Sequence, residues 1–226
     1  MNKFFNYDTG FWRFFGKLGD LIILNLLTIL FSLPIITIGA SVTAAHYTSI
    51  KIRRDESYVM RNFWKSFKMN FKQSTLVWLF LLMYTLGLVF TISMLSVGGE
   101  TVVVIMQGFA FALAVFSLFT VLWMFPLQAR FVNSIFGTIR NAFILAVRHL
   151  LRSIGMVLVS TLPIVFILFA GPKWYSLLFL FGASVPIYLC TLLYNKVFEK
   201  MEEQFLENTQ EGESEMLEIT QEDENA

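Results

Sequence analysis

Residues 21–50 contain no Asp, Glu, Lys or Arg, and four more long uncharged apolar blocks follow at 74–99, 101–129, 153–171 and 174–195. Each is near or above the roughly 18 apolar residues that cross a bilayer as a helix. In lipid only helices and closed barrels satisfy the backbone, and these Leu/Phe/Ile-rich runs lack the two-residue alternation of a barrel strand. The sequence therefore predicts an all-α, polytopic transmembrane helix bundle with five to six spanning helices. The first block exceeds the apolar core of a secretory leader, so a retained anchor is expected there rather than a cleaved signal.

Charge sets the expected topology. The net charge of +1 hides an asymmetry: residues 1–198 sum to +11, and the acidic tail 199–226 to −10. Lys and Arg mark cytoplasmic connections. Lys51, Arg53, Arg54, Arg61, Lys65, Lys68 and Lys72 follow the first block, and Arg130, Arg140, Arg148 and Arg152 precede the fourth. Both connections and the C-terminus are expected in the cytoplasm of a plasma-membrane protein. The first block admits two readings. One helix from about Asp20 to Ala45 puts Lys3, Arg13 and Lys17 outside; two helices, about 11–33 and 35–52 with Pro34 at the turn, put them inside. The second reading is preferred, because proline removes a donor and disfavours helix at the residue before it. Its second helix is short and polar for a span, and is expected to be buried among neighbours or re-entrant. The remaining spans are expected at about 74–97, 101–125, 153–171 and 175–196.

The two basic connections read as in-plane amphipathic helices at about 55–73 and 130–152. Arg61, Lys65, Lys68 and Lys72 share one helical face, and Met60, Trp64, Phe67 and Phe71 another. Arg148 and Arg152 oppose Phe136, Phe143, Val147 and Leu150 in the second. Anionic lipid headgroups are the expected contact for Arg61, Lys65, Lys68, Lys72, Arg148 and Arg152, and the closeness of these residues to spans speaks against nucleic acid. Phe63, Lys68 and Lys72 align with Phe143, Arg148 and Arg152, which raises an internal duplication beside the plainer reading that any such connection selects Phe and basic residues.

The apolar blocks hold no carboxylate, Lys or Arg at mid-depth. Ion coupling usually needs one. Asn25, Thr37, His46 and Gln107 stand out among the intramembrane polar residues, with Asn25 and Gln107 expected to hold helices together. The sequence has one cysteine, Cys190, and two histidines. No metal-ligand spacing, nucleotide loop or nucleophile motif occurs, so no catalytic, metal or cofactor site is expected. Trp78, Trp123, Trp174, Tyr175 and Tyr194 read as interfacial anchors. From Glu207 the tail is acidic, with only Met216, Leu217 and Ile219 as sizeable apolar groups, and disorder is expected after about 208.

Several segments resemble one family. Ser32-Leu33-Pro34-Ile35-Ile36-Thr37-Ile38-Gly39-Ala40-Ser41 is similar to the signature of the YesL family of bacterial integral membrane proteins. Phe5-Asn6-Tyr7-Asp8, Asn25, Phe63-Trp64-Lys65-Ser66-Phe67-Lys68 with Asn70-Phe71, and Phe125-Pro126-Leu127-Gln128-Ala129-Arg130-Phe131 through Arg148-His149 follow that family's pattern in order, over about residues 4–196. The family has no established catalytic residues. Its association with carbohydrate uptake in Gram-positive bacteria implies a non-enzymatic accessory or regulatory role, with sugar ABC transporter subunits or a membrane sensor as partners. The alternative is a small-solute permease for neutral, sugar-like molecules. The acidic tail lies outside the resemblance.

Overall fold

The computed structural model describes residues 10–56, 58–94, 100–171 and 174–224. Eight α-helices follow one another: α1 Gly10–Ser32, α2 Ile38–Arg53, α3 Val59–Met94, α4 Glu100–Arg130, α5 Ile135–Arg148, α6 Leu150–Ala170, α7 Tyr175–Phe181 and α8 Ser184–Glu224. No strand occurs among the described residues. Contacts divide the chain into residues 1–191, which contain the packed bundle, and residues 192 onward, the remainder of α8.

Pro34 ends the first helix, as its missing donor and restricted neighbour require. It takes an extended conformation (φ −74°, ψ 118°), a single 3₁₀ turn covers Ile35–Thr37, and α2 starts at Ile38. The two helices form an antiparallel hairpin. Ser41 Oγ donates to the Thr28 carbonyl near its tip at 2.9 Å, and Lys17 pairs with Asp55 at its open end at 2.9 Å. Asp55, with φ 59°, turns the chain into α3, in the left-handed region that Asp tolerates better than most residues.

α2 is a core helix. Eleven of its 16 residues are buried, most of them Gly, Ala, Ser or Thr. Small side chains let backbones approach closely where lipid supplies no hydrophobic drive for association. At 1.5 Å per residue α2 is about 24 Å long, short of the roughly 30 Å hydrocarbon core. Four helices are long and apolar enough to cross (α1, α3, α4 and α6), or five when α7 and α8, bent by 51° at their junction, count as one. α2 falls outside this set by its length and polarity.

The expected in-plane helix at 55–73 is not separate from the span after it. α3 runs unbroken for 36 residues, because no Pro or Gly interrupts the sequence from Val59 to Leu86. Its aromatic face is also shared differently. Phe63 and Phe67 are buried against Phe31 of α1, with ring centroids 5.5 and 5.0 Å apart, so only Met60, Trp64 and Phe71 of that side stay exposed. The second basic connection does form its own helix. Ser134 caps α5 by accepting from the Gly137 amide at 3.1 Å, and His149 separates α5 from α6. α5 turns Thr138, Ala142, Leu145 and Ala146 inward and leaves Phe136, Phe143 and Val147 outward.

α8 is helical to Glu224. Glu, Gln, Met and Leu are good helix formers, and extending an existing helix avoids the nucleation cost that penalises an isolated one.

Candidate functional site, two helix breaks and the cavity between them

A helix break inside a bilayer exposes backbone groups that water cannot satisfy. At the first break, the Ile35 carbonyl accepts from Trp78 Nε1 at 2.7 Å, and Thr37 Oγ1 lies 2.7 and 2.8 Å from the Phe31 and Pro34 carbonyls. At the second, between α7 and α8, one side chain serves three groups. Asn25 Oδ1 accepts from the Ala183 and Ser184 amides at 2.8 and 3.0 Å, and Asn25 Nδ2 donates to the Phe179 carbonyl at 2.7 Å. Asn25 is fully buried. The side-chain amide offers an oxygen that accepts from both amides of the α8 N-terminus and a separate N–H that donates to the end of α7.

The tip of the α1–α2 hairpin is pressed into α3. A Cβ on Gly39 would lie 2.4 Å from the Ser74 carbonyl oxygen and 2.5 Å from Trp78 Cβ. Glycine is required there by space, not by φ. A polar seam continues from this contact: Thr43 Oγ1 lies 2.9 Å from both the Gly39 carbonyl and Ser74 Oγ, and Ser74 Oγ lies 3.1 Å from Gln128 Oε1. Gln73 Nε2 donates to the Asn133 carbonyl at 2.7 Å. The start of the apolar part of α3 is thereby tied to the α4–α5 connection. The Lys17–Asp55 pair separately sets Arg13 and Lys17 beside the α2–α3 connection.

Between α2, α4, α6 and the α7–α8 break lies a cavity of about 300 Å³. His46, Ser160 and Cys190 are its polar lining, with Pro163, Ala183 and Pro186 among the rest. The Ser160 hydroxyl and Cys190 thiol are 3.7 Å apart. The Ser184 hydroxyl, on the residue that opens α8, is buried without a hydrogen-bond partner among the described residues. An imidazole, a hydroxyl and a thiol in an apolar wall can hold a small neutral solute or water; nothing there balances a charge. No group of three His, Cys, Asp or Glu residues among those described could hold a metal ion.

The residues singled out in the sequence thus separate. Asn25 and Thr37 belong to the breaks and His46 to the cavity, while Gln107 is half-buried on α4 outside that lining. Arg61, Lys65, Lys68, Lys72 and Arg148 are exposed, Arg152 is half-buried, and Lys68 Nζ stands 4.7 Å over the Trp64 ring. Two expected anchors are structural donors instead. Trp123 is fully buried and donates to Ser153 Oγ at 2.8 Å, and Trp78 serves the first break. Tryptophan near a span end signals the interface only when its N–H is left for water, which a sequence does not reveal. Ser74 and Gln128 were hidden for a similar reason, since both sit where span ends were expected to meet solvent. Asp55 is exposed, and its carboxyl is held below the usual range by the hydrogen bond and charge of Lys17. The His149 imidazole is held below its ordinary value by partial burial and by Arg152 and Arg148.

Residues 21–94 match a protein-family model described as a protein of unknown function, DUF624. The matched stretch takes in most of α1, the Pro34 break, α2 and α3. No curated protein and no solved structure matches the chain.

Proposed function

We propose that this chain is a non-enzymatic multi-pass protein of the cell membrane that works as an accessory or regulatory component of carbohydrate uptake, through contact with a transporter or sensor. The observation that supports a non-transporting role is the occupancy of the α7–α8 break by Asn25. In many transporters a broken helix offers its N-terminal amides to the substrate. Here both amides are taken by a side chain of the same chain, and Thr43, Ser74, Gln128, Trp123 and Ser153 are likewise engaged in bonds between helices. Such a molecule holds a shape and offers its surface. The carbohydrate system as partner comes from the family resemblance, and the Lys and Arg clusters in the connections before α3 and α5 support a cytoplasmic position for them by the positive-inside rule.

Purification of the tagged full chain from native membranes tests this. Recovery of sugar-transporter subunits at fixed stoichiometry is expected; their absence, with solute flux in liposomes holding this protein alone, would replace the reading. The second reading, a permease for a small neutral solute, is favoured by the cavity lined by His46, Ser160 and Cys190.

A further inference from the structure

A second concavity lies on the lipid-facing side of the bundle, between α3, α4 and α5. It is a groove of about 470 Å³, walled by Tyr84 of α3, Leu113, Phe116 and Ser117 of α4, and Phe136 and Phe143 of α5, with Arg140 on its rim. The Phe116 and Phe143 rings, with centroids 6.4 Å apart, join two of its walls. From Leu113 to Met124 the α4 wall rises about 17 Å at 1.5 Å per residue, close to half the roughly 30 Å hydrocarbon thickness. The groove has the depth of one leaflet and a volume of the order of a single acyl chain. Arg140 is the one charged residue in it. Its guanidinium is exposed and has no hydrogen-bond or ion-pair partner among the described residues. The short connection 131–134 ties α5 to the Arg130 end of α4, so the cation stands toward the basic side of the bundle.

An unpaired guanidinium beside apolar wall is costly unless an anion meets it, and a phosphate with a hydrocarbon tail satisfies both parts of this surface. We propose that the α3–α4–α5 groove is a binding site for one anionic phospholipid, its acyl chain along Leu113, Phe116 and Ser117 and its phosphate on Arg140. This site is distinct from the exposed stripe Arg61, Lys65, Lys68 and Lys72, none of which lines the groove. It holds a lipid in a fixed place.

The full chain, purified in mild detergent and supplied with equal amounts of phosphatidylglycerol and phosphatidylcholine, is examined by native mass spectrometry. One phosphatidylglycerol retained in preference to phosphatidylcholine is expected. Arg140→Gln should lower that retention about fivefold, the factor that about 1 kcal/mol per basic residue corresponds to. Arg140→Lys should keep most of it, and Arg54→Gln, outside the groove and outside the residues expected to meet headgroups, should change it little. Ser117→Phe, which fills the groove, should expel both lipids while Arg140 remains; Leu113→Trp repeats that test at a partly exposed position, should Ser117→Phe fail to fold. Unchanged phosphatidylglycerol preference in Arg140→Gln, or full lipid retention in the filled variants, would overturn the proposal. So would complete displacement of the lipid by inorganic phosphate, since the site would then recognise the free anion.

Discussion

Removing the Asn25 amide tests the break at α7–α8 directly. Asn25→Leu keeps roughly the volume and deletes three hydrogen bonds, from the Ala183 and Ser184 amides and to the Phe179 carbonyl. Hydrogen bonds between membrane helices average about 0.6 kcal/mol each and reach about 1.7, so three amount to about 2–5 kcal/mol. The upper part of that range is expected, because the groups left behind belong to helix termini and have no neighbouring turn to return to. Asn25→Asp should fall between wild type and Leu: a carboxylate accepts from the two amides but cannot donate to Phe179. The assay is unfolding of the purified chain in mixed micelles against increasing denaturing detergent, with Gln107→Leu as the control outside the breaks and the cavity. A loss below about 0.5 kcal/mol for Asn25→Leu, in the range of an ordinary surface change, would refute the view that Asn25 closes the break. Equal losses for Asn25→Leu and Gln107→Leu would refute it too.

At Gly39 even Ala should lower the melting temperature, because the new methyl meets the Ser74 backbone, whereas Gly87→Ala, which meets nothing within 4 Å, should raise stability by up to about 1 kcal/mol through helix propensity. The Lys17–Asp55 pair carries a pH signature: with the Asp55 pKa depressed in the folded chain, its contribution is present above the unfolded value of 3.8 and is lost as pH falls through the lower folded value. The difference in melting temperature between wild type and Asp55→Asn should therefore shrink in acid and in high salt, and a difference constant from pH 7 to pH 3 would exclude the pair. In a Cys190→Ser background, single cysteines at Gly16 and Glu56 should react with an impermeant thiol reagent from the same face of oriented vesicles, and labelling from opposite faces would break the hairpin reading of α1 and α2.

The all-α class and the break at Pro34 were legible because apolar run length and proline act locally, and each carries its consequence in the residues themselves. What the sequence left open depended on partners. Asn25 was expected to hold helices together, but nothing near it in the chain names Phe179, Ala183 or Ser184 as what it holds. Phe63 and Phe67 look the same in a list whether they face lipid or Phe31. The alignment of Phe63, Lys68 and Lys72 with Phe143, Arg148 and Arg152 shows how far pattern alone reaches. The first set lies on one unbroken helix, while the second straddles the turn at His149, where Ser153 Oγ, bonded by Trp123, also lies 3.1 and 3.2 Å from the Ala146 and His149 carbonyls. Similar side-chain spacing meets different partners and yields different backbones.

The anchoring of the α1–α2 hairpin on α3 bears on how many crossings the chain makes. Its tip is fixed on α3 at Trp78 through the Ile35 carbonyl. Lys72, the last charge before the apolar part of α3, lies six residues earlier, or about 9 Å along the helix. From Trp78 to Met94, α3 continues for a further 24 Å or so. If the stretch after Lys72 crosses a bilayer of roughly 30 Å, a hairpin anchored at Trp78 enters about a third of the way and turns back. Neither α1 nor α2 then has to reach the far headgroups, and the shortness and polarity of α2 cease to be an obstacle. Its buried Ser and Thr face protein, where non-helical and polar backbone is tolerated at membrane depth. Such a hairpin would return the chain to the side from which it entered, so that Arg13 and Lys17 would share a side with the connection before α3, as the positive-inside rule asks.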